Sequence, residues 1–185
     1  MIYTNLKSPL GEITASAEDN ALTGLWFVGQ KYYPSDKDTW IYEPNHPIFI
    51  KLCQWLEDYF AGKRNIALPN LEPKGTTFQK AVWEILLEIP YGRVTTYGEI
   101  AKKIANSKGL YSMSAQAVGG AVGHNPISIL IPCHRVVGAN GSLTGYAGGM
   151  EKKKALLHIE QADLTCRRLF EDGISQPDRC VGRGH

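Results

Sequence analysis

The chain has 185 residues, of which 43% are hydrophobic and 21% charged, a composition typical of globular proteins with a buried core. It contains no run of about 18 apolar residues, which excludes a transmembrane helix, and its N-terminus lacks the pattern of a secretory signal. We therefore expect a cytoplasmic protein that does not enter a membrane.

The net charge of +2 is unevenly divided along the chain. Residues 1–74 carry a net charge of −2, residues 75–154 carry +5 and residues 155–185 carry −1. A basic middle block is expected of a DNA-binding protein, but a solvated charged face would explain it equally well.

The four cysteines are Cys53, Cys133, Cys166 and Cys180. No pair has the spacing of a zinc knuckle or of a redox CxxC motif, so the sequence predicts neither a metal site nor a disulfide framework. In a reducing compartment these residues are expected to be free thiols, which permits one of them to act as a nucleophile.

Residues 1–74 predict a small antiparallel sheet with one helix. Alternation over residues 12–17 and the apolar run at 25–28 predict strands, separated by turns at residues 9–11 and 18–20. Residues 47–61 have the apolar spacing of an amphipathic helix that ends at Gly62. The prolines and glycine of residues 69–75 predict a linker.

Residues 75–161 predict a second, mostly helical unit. Thr76 or Thr77 is a plausible N-cap for a helix over residues 78–89, which Pro90-Tyr91-Gly92 ends. Thr96, with Glu99 three residues later, predicts a capping box for a helix over 97–104. Ser114 can cap another helix over 115–124, and two short helices joined by a turn are typical of a helix-turn-helix.

The segment after this motif contains the best candidate nucleophile. The apolar run at residues 127–131 predicts a buried strand that ends at Pro132, and residues 151–161 predict a last helix. Cys133 and His134 would then lie where a strand gives way to a loop, a common place for reacting groups. A cysteine beside a histidine is weak evidence alone, since a buried thiol next to a surface imidazole is the commoner arrangement.

A catalytic interpretation of this pair has a simple chemical basis. A thiol has a pKa near ~8.5, and only its thiolate is a strong nucleophile. A nearby imidazole can take the proton, and a third group can orient the imidazole. Glu160, near the end of the last predicted helix, is the candidate for that third group, although a surface carboxylate would show the same spacing.

The sequence around Cys133 resembles a known active-site signature. Pro132-Cys133-His134-Arg135-Val136 is similar to the signature of the O6-alkylguanine-DNA alkyltransferases, also called methylated-DNA–protein-cysteine methyltransferases. The resemblance is strong over residues 76–160 and looser over residues 1–75. Its other matching segments are residues 91–101, 117–121, 125–126, 145–149 and 156–160.

The resemblance implies a ribonuclease H-like N-terminal unit and a winged-helix-like C-terminal unit. It also implies a single-turnover reaction in which Cys133 receives the alkyl group from O6 of guanine, and by analogy from O4 of thymine. His134 would deprotonate Cys133 through a water, and Glu160 would orient His134. Tyr97 would donate a hydrogen bond to N3 of guanine. The reaction implied needs no metal or organic cofactor, the N-terminal metal site of some members has no counterpart in this sequence, and a monomer that binds double-stranded DNA is expected.

Further roles follow from the same resemblance. Asn125 would brace the turn before the active-site segment. The carbonyls of Cys133 and Val136 would read the exocyclic amine of guanine, and the N–H of Ala147 would face O6. Tyr146 and Ser128 would form walls of the pocket. The residues expected to contact DNA are Thr96, Ser114, Ala115, Gln116, Ala117, Gly119, Gly120 and Arg135.

The helix predicted at residues 115–124 has unusually small side chains. Such side chains cannot read base edges in the usual manner of a helix-turn-helix, and glycine costs about 1 kcal/mol against alanine in a helix interior. Tight helix–helix packing and close backbone approach to DNA are both possible reasons. The resemblance implies entry into the minor groove, with the damaged nucleotide flipped out.

Two features depart from the family. Many members have an arginine where this chain has Gln116, so we expect weaker help with base extrusion. The polar segment 162–185 lies beyond the matching region, and we expect a poorly ordered tail without a function.

Two other classes of protein remain open at this point. A cysteine hydrolase would also need a thiol and an imidazole, but it would turn over repeatedly. A DNA lesion sensor without chemistry would have another residue, commonly tryptophan, in place of Cys133.

Overall fold

The computed structural model describes residues 1–143 and 145–164 of the chain. The segment that we predicted to be a tail therefore lies, after Leu164, outside the described residues.

The N-terminal half contains the predicted sheet. Strands β1 (Ile2–Ser8), β2 (Gly11–Glu18) and β3 (Ala21–Phe27) form an antiparallel meander, and β4 (Ile41–Tyr42) pairs parallel to β1. The strand order is β3-β2-β1-β4. The residues of β3 are all buried, because chain from elsewhere covers its outer edge: the N–H of Leu22 donates to the carbonyl of Asn70, and the N–H of Leu25 donates to that of Pro126.

Helix α1 (Pro47–Phe60) follows, close to the predicted bounds. It begins at His46, whose ring accepts a hydrogen bond from the N–H of Ile48, and Pro47 suits the first turn, where no N–H is needed. Gly62 at φ +85° ends it. Its apolar face is buried through Ile48, Phe49, Leu52, Trp55, Leu56 and Tyr59.

Three further helices form the framework of the C-terminal half. Helix α2 (Thr77–Leu87) begins with a capping box between Thr76 and Gln79, and it ends two residues before the predicted limit. Strand β5 (Thr95–Thr96) leads into α3 (Tyr97–Ser107), which Thr96 caps, and Ser114 caps α4 (Ala115–Gly123). An N-cap side chain of this kind contributes about 1 kcal/mol. Helices α3 and α4 are the predicted helix-turn-helix.

The segment 127–131 is not the strand that we predicted. It is fully buried, but only Ile127 makes a strand-like bridge, to Leu25, and Ile129 has a positive φ of 70°. The N–H of Ile131 donates to the carbonyl of Ile127, so the chain makes a tight turn there. An apolar run indicates burial, and burial alone does not distinguish a strand from a compact turn.

The chain then forms a short 3₁₀ turn (Cys133–Arg135), strand β6 (Val136–Val137), which pairs parallel to β5, and helix α5 (Met150–Ile159). One cluster of buried side chains runs from the sheet through α1 and α2 to α4 and α5. The architecture is therefore α+β, as predicted, with the sheet in the N-terminal half and helices dominating the C-terminal half. The winged-helix detail stays a prediction.

Within the described residues, none of the helices combines the length and the apolar character needed to span a membrane.

Candidate active site

Cys133 begins the 3₁₀ turn and is buried, with 5% of its surface exposed. Pro132 precedes it in a non-helical conformation, and the N–H of Arg135 donates back to the carbonyl of Pro132. Cys133 and His134 therefore lie on one tight turn and not at the end of a strand. This corrects the predicted setting, because no strand leads into the pair.

Asn125 holds the segment that leads to Cys133. Its side-chain Nδ2 donates to the carbonyl of Ile131 at 2.8 Å, and its Oδ1 accepts from the N–H of Ile127 at 3.0 Å. The same amide hydrogen-bonds to Cys133, where it favours the thiolate. The bracing role expected for Asn125 is supported by these contacts, since one buried side chain hydrogen-bonds to the N–H at the start of the turn and to the carbonyl at its end.

His134, Glu160 and Arg135 form a buried hydrogen-bonded group, called the relay below. Nε2 of His134 lies 2.5 Å from Oε2 of Glu160, and neither side chain is exposed. Burial lowers the pKa of His134, and the cations Arg135 and Lys153 act in the same direction, against the attraction of Glu160. The resting imidazole is therefore neutral.

Glu160 is ionised although it is buried. Burial by itself would raise the pKa of this carboxyl, but His134 and Arg135 hold it well below its usual range through charge and hydrogen bonds. Nε of Arg135 donates to Oε1 at 2.7 Å, and the N–H of Gly92 donates to the same oxygen at 3.2 Å. Tyr59 donates to Oε2 at 2.6 Å.

These protonation states determine the tautomer of His134. An ionised carboxylate can only accept, so Nε2 of His134 carries the hydrogen and Nδ1 is the basic nitrogen. Nδ1 is buried and has no hydrogen-bond partner among the described residues. The ring next to Cys133 in the chain is thus held with its proton-accepting nitrogen available.

Lys153 is a residue of the site that sequence reasoning missed. It is fully buried, and its Nζ donates to the carbonyl of Val136 at 2.5 Å. Burial lowers its pKa to about 8, with the opposing effect of Cys133 indicating that the two groups are close. A signal existed, because Lys153, Leu156, Leu157 and Glu160 share the spacing of one helix face.

The thiol of Cys133 is subject to opposing influences. Burial raises its pKa, whereas the hydrogen bond from Asn125, the charge of Lys153 and the backbone N–H groups of Cys133 and His134 lower it. Each of the last three favours the thiolate. The net effect is a raised pKa, so the thiol is protonated at rest and needs a nearby base to become a thiolate.

Two tyrosines and two glycines lie around the thiol. Cys133 contributes to the raised pKa of both Tyr97 (about 12) and Tyr146, after the larger effect of burial, so both phenols stay protonated. A Cβ added to Gly145 would lie 2.9 Å from the hydroxyl oxygen of Tyr97, and one added to Gly148 would lie 2.8 Å from the ring of Tyr146. Glycine at these positions allows both rings to approach the loop closely.

The remaining predicted pocket residues lie around the same turn. Ser128 is buried, and its hydroxyl lies beside Tyr146. Val136 is buried on β6, and its carbonyl faces Lys153. The carbonyl of Ala147 accepts from the N–H of Lys31, which ties the loop to the N-terminal half. Contacts from these groups to a base remain predictions.

Helix α4 presents its small residues outward. Ser114, Ala115, Gln116, Ala117 and Gly120 are exposed, whereas Val118, Ala121 and Val122 are buried. A Cβ added to Gly120 or Gly123 would meet nothing within 4 Å, and one added to Gly119 would make only an ordinary contact with Tyr97. Packing within the described residues therefore does not require these glycines, which favours an external partner as the reason for them.

Arg135, which we expected to contact DNA, has most of its side chain turned inward. Its side chain is 12% exposed, and its Nε and Nη1 donate to Glu160 and to the carbonyl of Ile89, the latter at 2.7 Å. These contacts direct most of the guanidinium toward Glu160 and Ile89, and a contact between Arg135 and DNA stays a prediction. Thr96 uses its hydroxyl to cap α3, and its contact with DNA stays a prediction.

Among the described residues, no group of three or more His, Cys, Asp or Glu side chains could hold a metal ion. Fold and site together define an α+β protein with a helix-turn-helix and a buried cysteine served by a histidine–glutamate pair.

Comparison with known proteins identifies the family to which this chain belongs. Residues 77–162 match the 6-O-methylguanine DNA methyltransferase DNA-binding domain, and residues 1–70 match the ribonuclease-like domain of the same enzymes. The chain belongs to the methylated-DNA–protein-cysteine methyltransferase family. A member from Methanosarcina acetivorans is 44% identical over 160 residues, covering 86% of this chain and 98% of its own.

Other similar proteins belong to the same family. A methylated-DNA–protein-cysteine methyltransferase from Haemophilus influenzae is 42% identical, covering 87% of each chain. The crystal structure of Mycobacterium tuberculosis OGT in complex with DNA is similar with a TM-score of 0.77 and 41% identity, covering 87% of this chain and 93% of that one.

Proposed function

We propose that this protein repairs DNA by transferring the alkyl group of O6-alkylguanine, a methyl group above all, to Sγ of its own Cys133. The relatives named above are methylated-DNA–protein-cysteine methyltransferases, and one of them is described in complex with DNA. The observation that carries the assignment to this site is the buried 2.5 Å contact between His134 and Glu160 next to a buried cysteine.

The first step is removal of the thiol proton. Nδ1 of His134 takes it through a bridging water, and Glu160 stabilises the imidazolium that results. Glu160 does not take the proton itself, because its pKa lies far below that of an imidazole. Asn125 and Lys153 stabilise the thiolate as it forms.

The second step is displacement at a saturated carbon. Sγ of Cys133 forms a bond to the alkyl carbon while the bond between that carbon and O6 breaks, and the electron pair stays with guanine. Tyr97, still protonated, donates a hydrogen bond to N3 of the leaving base. The imidazolium of His134 then loses the thiol proton to water while the departing guanine anion takes up one proton, so the protons balance. No cofactor takes part in these steps.

The product explains why each molecule acts once. A thioether is a poor leaving group, and the described site offers no second nucleophile placed to remove the alkyl group. This separates the proposal from a cysteine hydrolase, which would release its acyl group and cycle. A lesion sensor would not need the cysteine and its relay.

DNA binding follows from the exposed face of α4. A thiol with 5% exposure cannot reach O6 within a duplex, so the nucleotide must be flipped into the pocket. The small residues from Ser114 to Gly120 let the helix backbone approach the minor groove, and Gln116 is the side chain that can occupy the gap in the stack. Cys133, Val136, Ala147, Tyr146 and Ser128 then surround the flipped base as the resemblance implies.

We further propose a monomer in the cytoplasm, since a reducing compartment keeps Cys133 available as a thiol.

Mass spectrometry of the protein after incubation with an O6-methylguanine duplex tests the proposal. We expect a gain of one methyl group on Cys133, with one equivalent of lesion repaired per molecule. Cys133→Ala should gain nothing, and Cys53→Ala, which removes the half-buried thiol on α1, should behave like the wild type. Methylation of another cysteine, or repair of many lesions per molecule, would contradict the assignment.

A further inference from the structure

The N-terminal half supplies one donor to the relay. Tyr59, in the last turn of α1, donates its hydroxyl hydrogen to Oε2 of Glu160 at 2.6 Å, across a sequence separation of 101 residues. We propose that Tyr59 is a positioning residue for the alkyl-transfer reaction, through which the N-terminal half sets the basicity of His134. This inference rests on the function proposed above.

The arrangement of donors gives Tyr59 a distinct place. Arg135 and the N–H of Gly92 both donate to Oε1 of Glu160, whereas Tyr59 and His134 share Oε2. Tyr59 is therefore the donor that competes with His134 for the electron density of one oxygen atom. Removing it leaves Oε2 to His134 and concentrates the negative charge there.

Tyr59 is rigidly held and always a donor. Its side chain is 1% exposed, its ring stacks on Trp55 with centroids 5.2 Å apart, and Phe60 and Tyr91 contact it edge-on. Burial, followed by the negative charge of Glu160, raises the pKa of the Tyr59 phenol well above its ordinary value. The hydroxyl therefore keeps its proton throughout the pH range of an activity assay.

The effect of losing this donor has a definite sign. Without Tyr59, Glu160 attracts the Nε2 hydrogen of His134 more strongly, which raises the pKa of the imidazole. A histidine with a higher pKa stays protonated, and so cannot act as a base, up to a higher pH. The acid limb of the pH–rate profile should move to higher pH in Tyr59→Phe. The other charged groups that act on His134 are Arg135 and Lys153, and the titratable Tyr91 and Tyr146 act on Glu160; all of them remain in place.

Tyr91→Phe is a matched control. Its hydroxyl donates to the carbonyl of Ile159, one residue before Glu160, at 3.2 Å, and its ring lies 6.2 Å from that of Tyr59. This variant removes a tyrosine hydroxyl from the same aromatic cluster without removing a hydrogen bond to the carboxylate. A general loosening of the cluster would affect both variants alike.

The experiment measures single-turnover methyl transfer from an O6-methylguanine duplex to the full-length chain between pH 5 and 9. We expect the acid limb of Tyr59→Phe to lie about half a pH unit higher, so that near pH 5 this variant reacts up to about threefold more slowly than the wild type. Tyr91→Phe should follow the wild-type profile. An unchanged profile for Tyr59→Phe, or the same shift in both variants, would overturn the proposal.

A second replacement covers the case in which Tyr59→Phe does not fold. A fluorinated tyrosine at position 59 keeps the ring and hydroxyl but is a stronger donor, so the acid limb should move to lower pH; no movement would count against the role. The wild type serves as the test of the underlying function. If it transfers no methyl group to Cys133, the proposed function fails, whereas a wild-type reaction with unshifted variants refutes Tyr59 alone.

Discussion

Nε2 of His134 and Oε2 of Glu160 are 2.5 Å apart in a region from which solvent is excluded. In such a setting a carboxylate orients the imidazole and stabilises its protonated form far better than it would in water. Most of the functional expectations for this protein can be derived from that contact and from the groups around it.

Loss of the carboxylate charge should slow the reaction. Glu160→Gln keeps the size of the side chain but offers Nε2 of His134 a neutral partner, so the imidazolium formed during transfer is less stable. We expect single-turnover methyl transfer to fall by about 100-fold or more, the range typical of general-base catalysis. Glu151→Gln, at the exposed start of the same helix, is the control and should react at the wild-type rate.

The relay should make the fold sensitive to acid. His134 has a lowered folded-state pKa, so its contribution to stability is present above the unfolded value of about 6.5 and is lost as the pH falls below it. Glu160, also lowered, contributes above about 4.5 and loses that contribution on further acidification.

Urea unfolding at a series of pH values measures this dependence. We expect the free energy of unfolding to fall as the pH is lowered from 7 to 4, first through His134, and to fall further below about pH 4.5 through Glu160. Replacing the exposed His158 by Gln should leave the curve unchanged, because that side chain is solvated. A flat curve for the wild type would show that the relay is not held in these protonation states.

Lys153 should be needed for fast methyl transfer, although no sequence motif identifies it. Its ammonium group lies near Cys133 and donates to the carbonyl of Val136. Lys153→Met preserves much of the volume but removes the charge, so the thiol should ionise less readily. We expect transfer at pH 7 to slow by about tenfold or more. Lys154→Met, half exposed on the same helix, should retain the rate, and equal losses in both variants would indicate a non-specific effect.

Replacing Gly120 by alanine should raise the stability of the protein and weaken its binding to DNA. A Cβ at this position meets nothing within the chain, so Gly120→Ala should stabilise the helix by up to about 1 kcal/mol. The same methyl group would hinder close approach of α4 to DNA. Thermal unfolding of Gly120→Ala tests the predicted gain in stability, and a DNA-binding titration tests the predicted loss of affinity. An unchanged affinity for DNA would show that Gly120 has no role in binding.

Gln116 tests the use of α4 in base extrusion. It is exposed near the start of the helix, and Gln116→Arg adds a charge that can interact with the DNA stack and backbone. We expect faster repair of an O6-methylguanine duplex and a much smaller change with the same lesion in a single strand. An unchanged or lower rate on the duplex would argue against the role proposed for this position.

The sequence by itself determined the family, the reactive Cys133–His134 pair and most helix limits, because local signals carry them. Thr96 and Ser114 are N-caps whose hydroxyls bond backbone groups three residues away, and such short-range bonds can be predicted from spacing. The orientation of Glu160 toward His134 came from the resemblance, not from spacing.

Tertiary structure alone decided the surroundings of Glu160. Arg135 has the character of a DNA-binding residue in the sequence, yet it lies inward because a buried carboxylate needs a cation. Tyr59 has the spacing of a core residue, and only the packing of α1 against the end of α5 turns its hydroxyl into a donor to Glu160. Contacts between residues 25 and 101 positions apart depend on how the halves pack, and no local pattern records that.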